Sequence, residues 1–134
     1  MIVADTNLIV YLIIPTEHTE TAKQVFLRDS DWVAPRLWRS EFRNVLATYM
    51  RQQLVTLSQA QKIMQQAEKV MSDNEYGSHS DDVLRLVAGS SCSAYDCEFV
   101  ALAQEFGAPL VTVDKRILRE FAGTAVSPTT FLTR

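Results

Sequence analysis

The fold is decided by the first seven residues, Met1-Ile2-Val3-Ala4-Asp5-Thr6-Asn7. The apolar run gives way abruptly to a carboxylate, a hydroxyl and an amide, which predicts a buried strand with polar groups at its carboxyl end. In open parallel sheets, ligand sites lie outside the carboxyl ends of the strands. Asp5 is therefore the first candidate site residue, although it would equally serve as the N-cap of a helix that begins near Asn7.

The composition is that of a globular protein. The chain has 134 residues, of which 47% are apolar and 22% are charged, and this length suffices for a core of two or three layers. We therefore expect one domain over residues 1–134. The net charge of -3 predicts no broad basic surface for nucleic acid, although it allows a local one.

Two further features bear on location and redox state. The longest apolar run, residues 8–14, is far shorter than the roughly 20 residues of a membrane helix, and no signal-peptide pattern accompanies it. We therefore expect a cytoplasmic protein without membrane contact. The spacing of Cys92 and Cys97 matches no common zinc or redox pattern, so the sequence predicts two buried, reduced thiols.

Short strands alternate with helices along the rest of the chain. After the first strand, strands are predicted at 31–35, at 110–113 and near 125–126. Helices are predicted at 7–14, at 17–28, from 36 onward and from 115 onward. Three more have recognisable ends: one at about 58–73 with a capping box of Ser58 and Gln61, one from 80 with Ser80 as cap, and one from 93 to a left-handed Gly107. This alternation predicts an α/β fold, a three-layer α/β/α sandwich with a mostly parallel sheet.

Four acids occupy strand ends or helix faces in this scheme: Asp5, Glu41, Asp96 and Asp114. Asp5 and Asp114 follow two buried strands, so a parallel sheet brings them to the same edge. Asp96 shares a helix face with apolar residues, which turns its carboxylate inward, and Glu41 borders a buried stripe. Each acid also has a purely structural interpretation. Asp5 and Asp114 would be helix caps, Asp96 part of a capping box with Ser93, and Glu41 a solvated rim residue.

Four carboxylates converge only if something offsets their repulsion, and a hard divalent cation does so. Oxygen ligands favour Mg²⁺ or Mn²⁺ over zinc, and the two histidines, His18 and His79, lie in distant connecting stretches. A cation in such a pocket activates water and stabilises the charge that develops during attack on a phosphodiester.

The chain resembles the PIN-domain nucleases, and within them the VapC-type toxin ribonucleases of toxin–antitoxin modules. The resemblance rests on residues 3–7, 40–46, 93–103 and 110–114. It implies a PIN-like fold and an RNA substrate. It also implies a homodimer and a small antitoxin protein, whose tail would place an Arg in the acidic pocket. The metal-binding acids would be Asp5, Glu41, Asp96 and Asp114, and the supporting residues Thr6, Asn7 and Thr112.

The sequence departs from this family after Asp114. Many relatives carry a further acid there, whereas Lys115 and Arg116 follow here, which puts a second metal site in question. Four basic residues flank the acids and would form a local phosphate-binding patch: Arg39, Arg43, Lys115 and Arg116. The alternative is a solvated face with ordinary ion pairs.

The leading hypothesis is a metal-dependent endoribonuclease that acts as the toxin of a type II toxin–antitoxin pair. A second hypothesis is a haloacid-dehalogenase-like phosphatase with Asp5 as nucleophile, but those enzymes carry a second Asp where this chain has Asn7. A third is a catalytically inactive PIN module that binds RNA or scaffolds an assembly. None of the four acids is missing, which favours the first hypothesis.

Overall fold

A computed structural model describes residues 1–134, with five short strands and eight helices. The strands are β1 (Ile2–Ala4), β2 (Trp32–Pro35), β3 (Glu75–Tyr76), β4 (Leu110–Val111) and β5 (Ala125–Val126). The helices are α1 (Thr6–Ile13), α2 (Thr19–Arg28), α3 (Leu37–Arg51), α4 (Leu57–Met71), α5 (Ser80–Ala88), α6 (Ala94–Phe106), α7 (Lys115–Glu120) and α8 (Pro128–Leu132).

The five strands form one sheet in the order β3-β2-β1-β4-β5, and every pairing is parallel. The first strand is thus the central one, and all three of its residues are fully buried. In its register Val3 lies opposite both Val33 and Leu110. Ladder hydrogen bonds continue past the strand, because the Asp5 backbone N–H donates to the Val111 carbonyl over 3.1 Å.

Helices cover both faces of the sheet, which confirms the predicted three-layer α/β/α sandwich. On one side α5 packs on α6, and α6 lies against β1, β2 and β4; elsewhere α1 contacts α2, α3 and α4. Apolar side chains without solvent exposure fill the space between layers, and the largest are Trp32, Trp38, Phe42 and Phe99. None of the eight helices combines the length and apolarity that spanning a membrane requires.

Several local predictions are confirmed and others are wrong by a few residues. Gly107 ends α6 with a left-handed φ of 61°, and both cysteines are buried and free. The capping box of α4 consists of Thr56 and Gln59 rather than Ser58 and Gln61, since the helix begins earlier than its apolar stripe. Ser80 is the first residue of α5 and not its cap.

Candidate active site

A cavity of about 830 Å³ opens at the carboxyl edge of the central strands. Four separate segments bring acids to it: the end of β1, helix α3, the first turn of α6 and the residue before α7. These acids are the four that the sequence singles out: Asp5, Glu41, Asp96 and Asp114. Thr6 and Asn7 also line this acidic cavity, so residues far apart in the chain meet at one place.

Asp5 is the most enclosed of the four acids, with only 8% of its surface exposed. It is the N-cap of α1, where Oδ1 accepts a 2.8 Å hydrogen bond from the Thr6 backbone N–H. Its Oδ2 accepts from the Thr112 hydroxyl over 2.5 Å and from Asn7 Nδ2 over 3.3 Å. Capping therefore uses one carboxylate oxygen, while the other joins a side-chain network.

That network links three of the four acids. Thr6 Oγ1 donates to Glu41 Oε1 over 2.7 Å, and Thr112 Oγ1, besides donating to Asp5, accepts from the Asp114 backbone N–H over 3.0 Å. The hydrogen-bonded chain thus runs from Glu41 through Thr6, Asp5 and Thr112 to Asp114. Each threonine is 6% exposed or less, so both hydroxyls hold their partners where water does not compete.

Asp114 and Asp96 enter the cavity from helix N-termini. Asp114 caps α7, its Oδ1 accepting from the Ile117 backbone N–H over 2.9 Å. The half-buried Asp96 lies in the first turn of α6, whose N-cap Ser93 accepts from the Asp96 backbone N–H over 3.0 Å. The capping interpretations of the sequence therefore describe Asp5 and Asp114 correctly, and capping coexists with placement in one cavity.

Burial and mutual repulsion raise the pKa of three of these carboxyl groups. Burial is the largest effect on Asp5 and raises its pKa to about 6, against the hydrogen bonds from Thr112 and Thr6 and with further repulsion from Glu41 and Asp96. The pKa of Glu41 is also raised, by burial and then by nearby carboxylates. That of Asp96 is raised by burial and by Asp114. The cavity therefore favours positive charge.

The family model of the PIN domain matches residues 2–123 of the chain. The chain belongs to the PIN-domain family.

Individual relatives agree with this assignment. The chain is 24% identical over 123 residues to Ribonuclease VapC3 of Pyrobaculum aerophilum, a match that covers 90% of this chain and 94% of that protein. The crystal structure of PAE2754 from Pyrobaculum aerophilum superimposes with a TM-score of 0.77 at 21% identity, covering 100% of this chain and 97% of that one. A toxin-antitoxin complex from Klebsiella pneumoniae gives a TM-score of 0.69 at 18% identity, covering 96% and 98%. The two structures show a shared fold.

The chemistry of this PIN domain's acidic cavity fits a hard divalent cation. Its charged side chains are all carboxylates, and the lining residue Asn7 has a buried Oδ1 without any hydrogen-bond partner. A buried polar atom of this kind calls for a water or an ion. No three His, Cys, Asp or Glu side chains stand close enough to enclose an ion by themselves. Mg²⁺ usually keeps several waters and takes only one or two carboxylates directly, so the site does not need a closed cage.

The four basic residues predicted around this PIN domain's acids differ in their surroundings. The Arg39 guanidinium is paired with Glu75, over 2.9 Å from Nε, and with Glu68. Those carboxylates occupy the guanidinium N–H donors of Arg39 that a phosphate would need. Arg43 and Lys115 are exposed and form no ion pair, and Arg116 only donates to the Ser91 carbonyl over 3.3 Å. Only the last three basic residues are free to meet a polyanion.

The sequence analysis missed four polar or aromatic residues of the cavity wall: Tyr11, Ser40, Asn44 and Tyr95. Helical spacing would have indicated Asn44, which lies three positions after Glu41 and therefore on the same face of α3. Asp5, the proposed nucleophile of the phosphatase alternative, has both carboxylate oxygens engaged as hydrogen-bond acceptors. Membership of the PIN-domain family removes the support for the haloacid-dehalogenase-like alternative.

Proposed function

We propose that this chain is a metal-dependent endoribonuclease that hydrolyses RNA phosphodiester bonds as the toxin of a type II toxin–antitoxin pair. The observation that carries the proposal is the convergence of Asp5, Glu41, Asp96 and Asp114 on one cavity at the carboxyl edge of the sheet. Support comes from the match to the PIN-domain model, from the similarity to Ribonuclease VapC3 and from the toxin-antitoxin complex that shares the fold.

In this proposal the four acids hold Mg²⁺ or Mn²⁺, in part through waters that the ion retains, and Asn7 lines the same cavity. When bound, such a cation lowers the pKa of water and offsets the charge that develops on the phosphate. The two threonines act as positioning residues, because Thr6 fixes the Glu41 carboxylate and Thr112 fixes that of Asp5. Fixed carboxylates avoid a reorganisation cost at the moment of reaction.

The remaining residues of the site attract and orient the substrate. Arg43, Lys115 and Arg116 flank the acids in sequence and form no ion pair; they would contact backbone phosphates of the RNA, which lowers the repulsion between a polyanion and an acidic cavity. Ser40 and Asn44 offer hydrogen-bond donors from α3. These residues hold the RNA on either side of the bond that is cleaved, while the scissile phosphate lies over the carboxylates.

The decisive experiment is cleavage of single-stranded RNA by the purified protein with Mg²⁺, with Mn²⁺ and in excess chelator. We expect cleavage only with a divalent cation, because the four carboxylates repel the phosphate unless a cation offsets their charge and activates the attacking water. Asp5→Asn and Asp96→Asn should abolish it, and Asp82→Asn, a matched change in the first turn of α5, should not. Undiminished cleavage in chelator would contradict the proposal. Wild-type cleavage rates in both Asp5→Asn and Asp96→Asn would also contradict it.

The proposed partner is a small antitoxin protein whose tail places an Arg in the acidic cavity, since a guanidinium pairs with a carboxylate in bidentate geometry. A synthetic antitoxin tail should inhibit cleavage, and the same peptide without Arg and Lys should inhibit poorly. Equal inhibition by the two peptides would contradict this mode of binding.

A homodimer is also part of the proposal. Sedimentation equilibrium of the purified protein should give twice the chain mass of 15.1 kDa. A monomer at every concentration tested would remove the dimer from the proposal without affecting the cleavage chemistry.

A further inference from the structure

A second cavity, of about 260 Å³, lies beside the acidic cavity and has no part in the chemistry described so far. It is formed where α1, α2, α7 and the start of α8 meet. Tyr11 lines both cavities. Since one side chain forms a common wall, a ligand anchored over the carboxylates reaches the second cavity by passing a single aromatic ring.

Tyr11, the side chain shared by the two cavities, is in close contact with a second aromatic ring, that of His18. The rings of Tyr11 and His18 have centroids 4.5 Å apart with an interplanar angle of 34°, and the His18 side chain is 52% exposed. His18 occupies the N-cap position of α2, yet its side chain makes no capping bond. Tyr11 contacts the ring and Glu17 Oε1 lies 3.4 Å from Nε2, so the exposed half of the ring is the part that remains for stacking on another flat group.

The rest of the lining combines an apolar floor with polar groups at the margin. Leu8 and Pro128 are buried and supply the floor, while Ser127 and Thr129 add hydroxyls. Lys115 lines the same cavity, directly follows the candidate site residue Asp114 and has no carboxylate partner. Aromatic rings with an adjacent free cation are the combination that binds a nucleobase and its phosphate.

We propose that this second cavity, called the base pocket below, receives one nucleobase of the RNA whose phosphodiester lies over the four acids. The inference rests on the proposed function and adds to it the place where the substrate's sequence is read. The His18 ring stacks on the base, the Thr129 hydroxyl meets its polar edge, and Lys115 contacts the phosphate between the base and the acidic cavity. The pocket is slightly smaller than drug-sized sites of about 300 to 1,000 Å³, which suits one heterocycle.

The first test measures binding without cleavage. The four ribonucleoside 5′-monophosphates are titrated one at a time into the protein while the His18 ring signals are followed by NMR, with ribose 5-phosphate as the base-free control. We expect at least one nucleotide to shift His18 in a saturable way, to leave His79 unshifted, and to bind at least fivefold more tightly than ribose 5-phosphate.

Substitutions at His18 complete the test. His18→Ala should weaken the preferred nucleotide at least fivefold, His18→Phe should retain it because a flat ring is kept, and His79→Ala serves as the matched control at the other exposed histidine. The inference is overturned if no nucleotide shifts His18, if ribose 5-phosphate binds equally well, or if His18→Ala binds like wild type. It is also overturned if only the antitoxin-tail peptide shifts His18.

These outcomes are independent of the cleavage experiment. A protein that cleaves RNA but shows no nucleotide at His18 keeps the proposed function and loses the base pocket. A protein that binds the nucleotide at His18 but never cleaves RNA keeps the pocket and loses the nuclease proposal.

Discussion

Thr112 Oγ1 donates a 2.5 Å hydrogen bond to Asp5 Oδ2, and the two residues are 107 positions apart in the chain. Thr112 follows β4 and Asp5 follows β1, so the bond joins neighbouring strands at the edge where the acidic cavity opens. The same hydroxyl accepts from the Asp114 backbone N–H. One buried side chain therefore fixes two of the four acids relative to each other.

We expect Thr112→Val to disturb both acids at once. The substitution keeps the shape of the side chain but leaves the Asp114 N–H without its partner and Asp5 Oδ2 with only the 3.3 Å bond from Asn7 Nδ2, and a buried polar group that loses its bond costs about 1 to 3 kcal/mol. Urea denaturation should show a loss of unfolding free energy of that size. Thr112→Ser, which retains the hydroxyl, is the control. Equal stability of the valine and serine variants would refute the role of this bond.

The raised pKa of Asp5 predicts how metal-free stability depends on pH. The folded state holds its proton up to about pH 6 and the unfolded state only up to the ordinary value of 3.8, so between these values the folded protein binds more protons. The contribution of Asp5 to stability is then largest below pH 3.8 and falls as the pH rises to about 6. The loss from Asp5 amounts to roughly 3 kcal/mol. The raised pKa values of Glu41 and Asp96 act in the same direction.

Urea denaturation in chelator across this pH range measures the effect. Asp5→Asn cannot ionise, so its stability should vary less with pH, and above pH 6 both Asp5→Asn and Asp96→Asn should be more stable than wild type. The variants should also lose most of the stabilisation that Mg²⁺ or Mn²⁺ confers on the wild type. If both are clearly less stable than wild type in chelator, capping alone accounts for these residues.

A third prediction concerns Asn7, whose buried Oδ1 has no partner within the protein. Asn7→Ala should weaken the affinity for Mn²⁺ about tenfold, the lower end of the range for residues that surround metal ligands. Asn7→Asp keeps an oxygen at this place and should retain the affinity. Isothermal titration calorimetry with MnCl₂ compares the variants, and unchanged affinity in Asn7→Ala would exclude the amide from the cation site.

A fourth prediction separates the two interpretations of the basic residues. Arg39 is a third exposed and pairs with Glu75 and Glu68, so Arg39→Met should cost about 1 kcal/mol of stability and leave RNA affinity unchanged. Arg43→Gln is the matched change at an unpaired Arg on the same helix. It should leave the stability unchanged and lower the RNA affinity. Fluorescence anisotropy with labelled RNA and urea denaturation provide the two measurements. A fall in RNA affinity for Arg39→Met would return Arg39 to the phosphate-binding patch.

Four of the five strands and the four segments that carry the acids could be predicted because each rests on a local pattern, whereas the two-residue edge strand β3 (Glu75–Tyr76) was missed. Buried strands such as β1 are short apolar runs that end in polar residues, and Gly107 marks a helix end by its left-handed φ. Helix starts were less accurate, as Thr56 in place of Ser58 shows, because several adjacent residues offer a capping side chain.

Partners of side chains could not be predicted, because they depend on contacts between distant segments. The pairing of Arg39 with Glu75 joins a helix to an edge strand 36 residues later, and no periodicity indicates it. The common wall formed by Tyr11 was equally hidden, since it requires the packing of α1 against α2 and the start of α8. Spacing along one element predicted Glu41 and Asp96, while the base pocket required the assembled fold.

The central position of β1 has a consequence for protein synthesis. The strand is made first, but its neighbour β4 and the Thr112 hydroxyl are made more than 100 residues later. Contacts so distant in sequence form late in folding, and a nascent chain without them has neither the sheet edge nor the position of Asp114. The acidic cavity therefore cannot assemble before β4 and Asp114 have been synthesised.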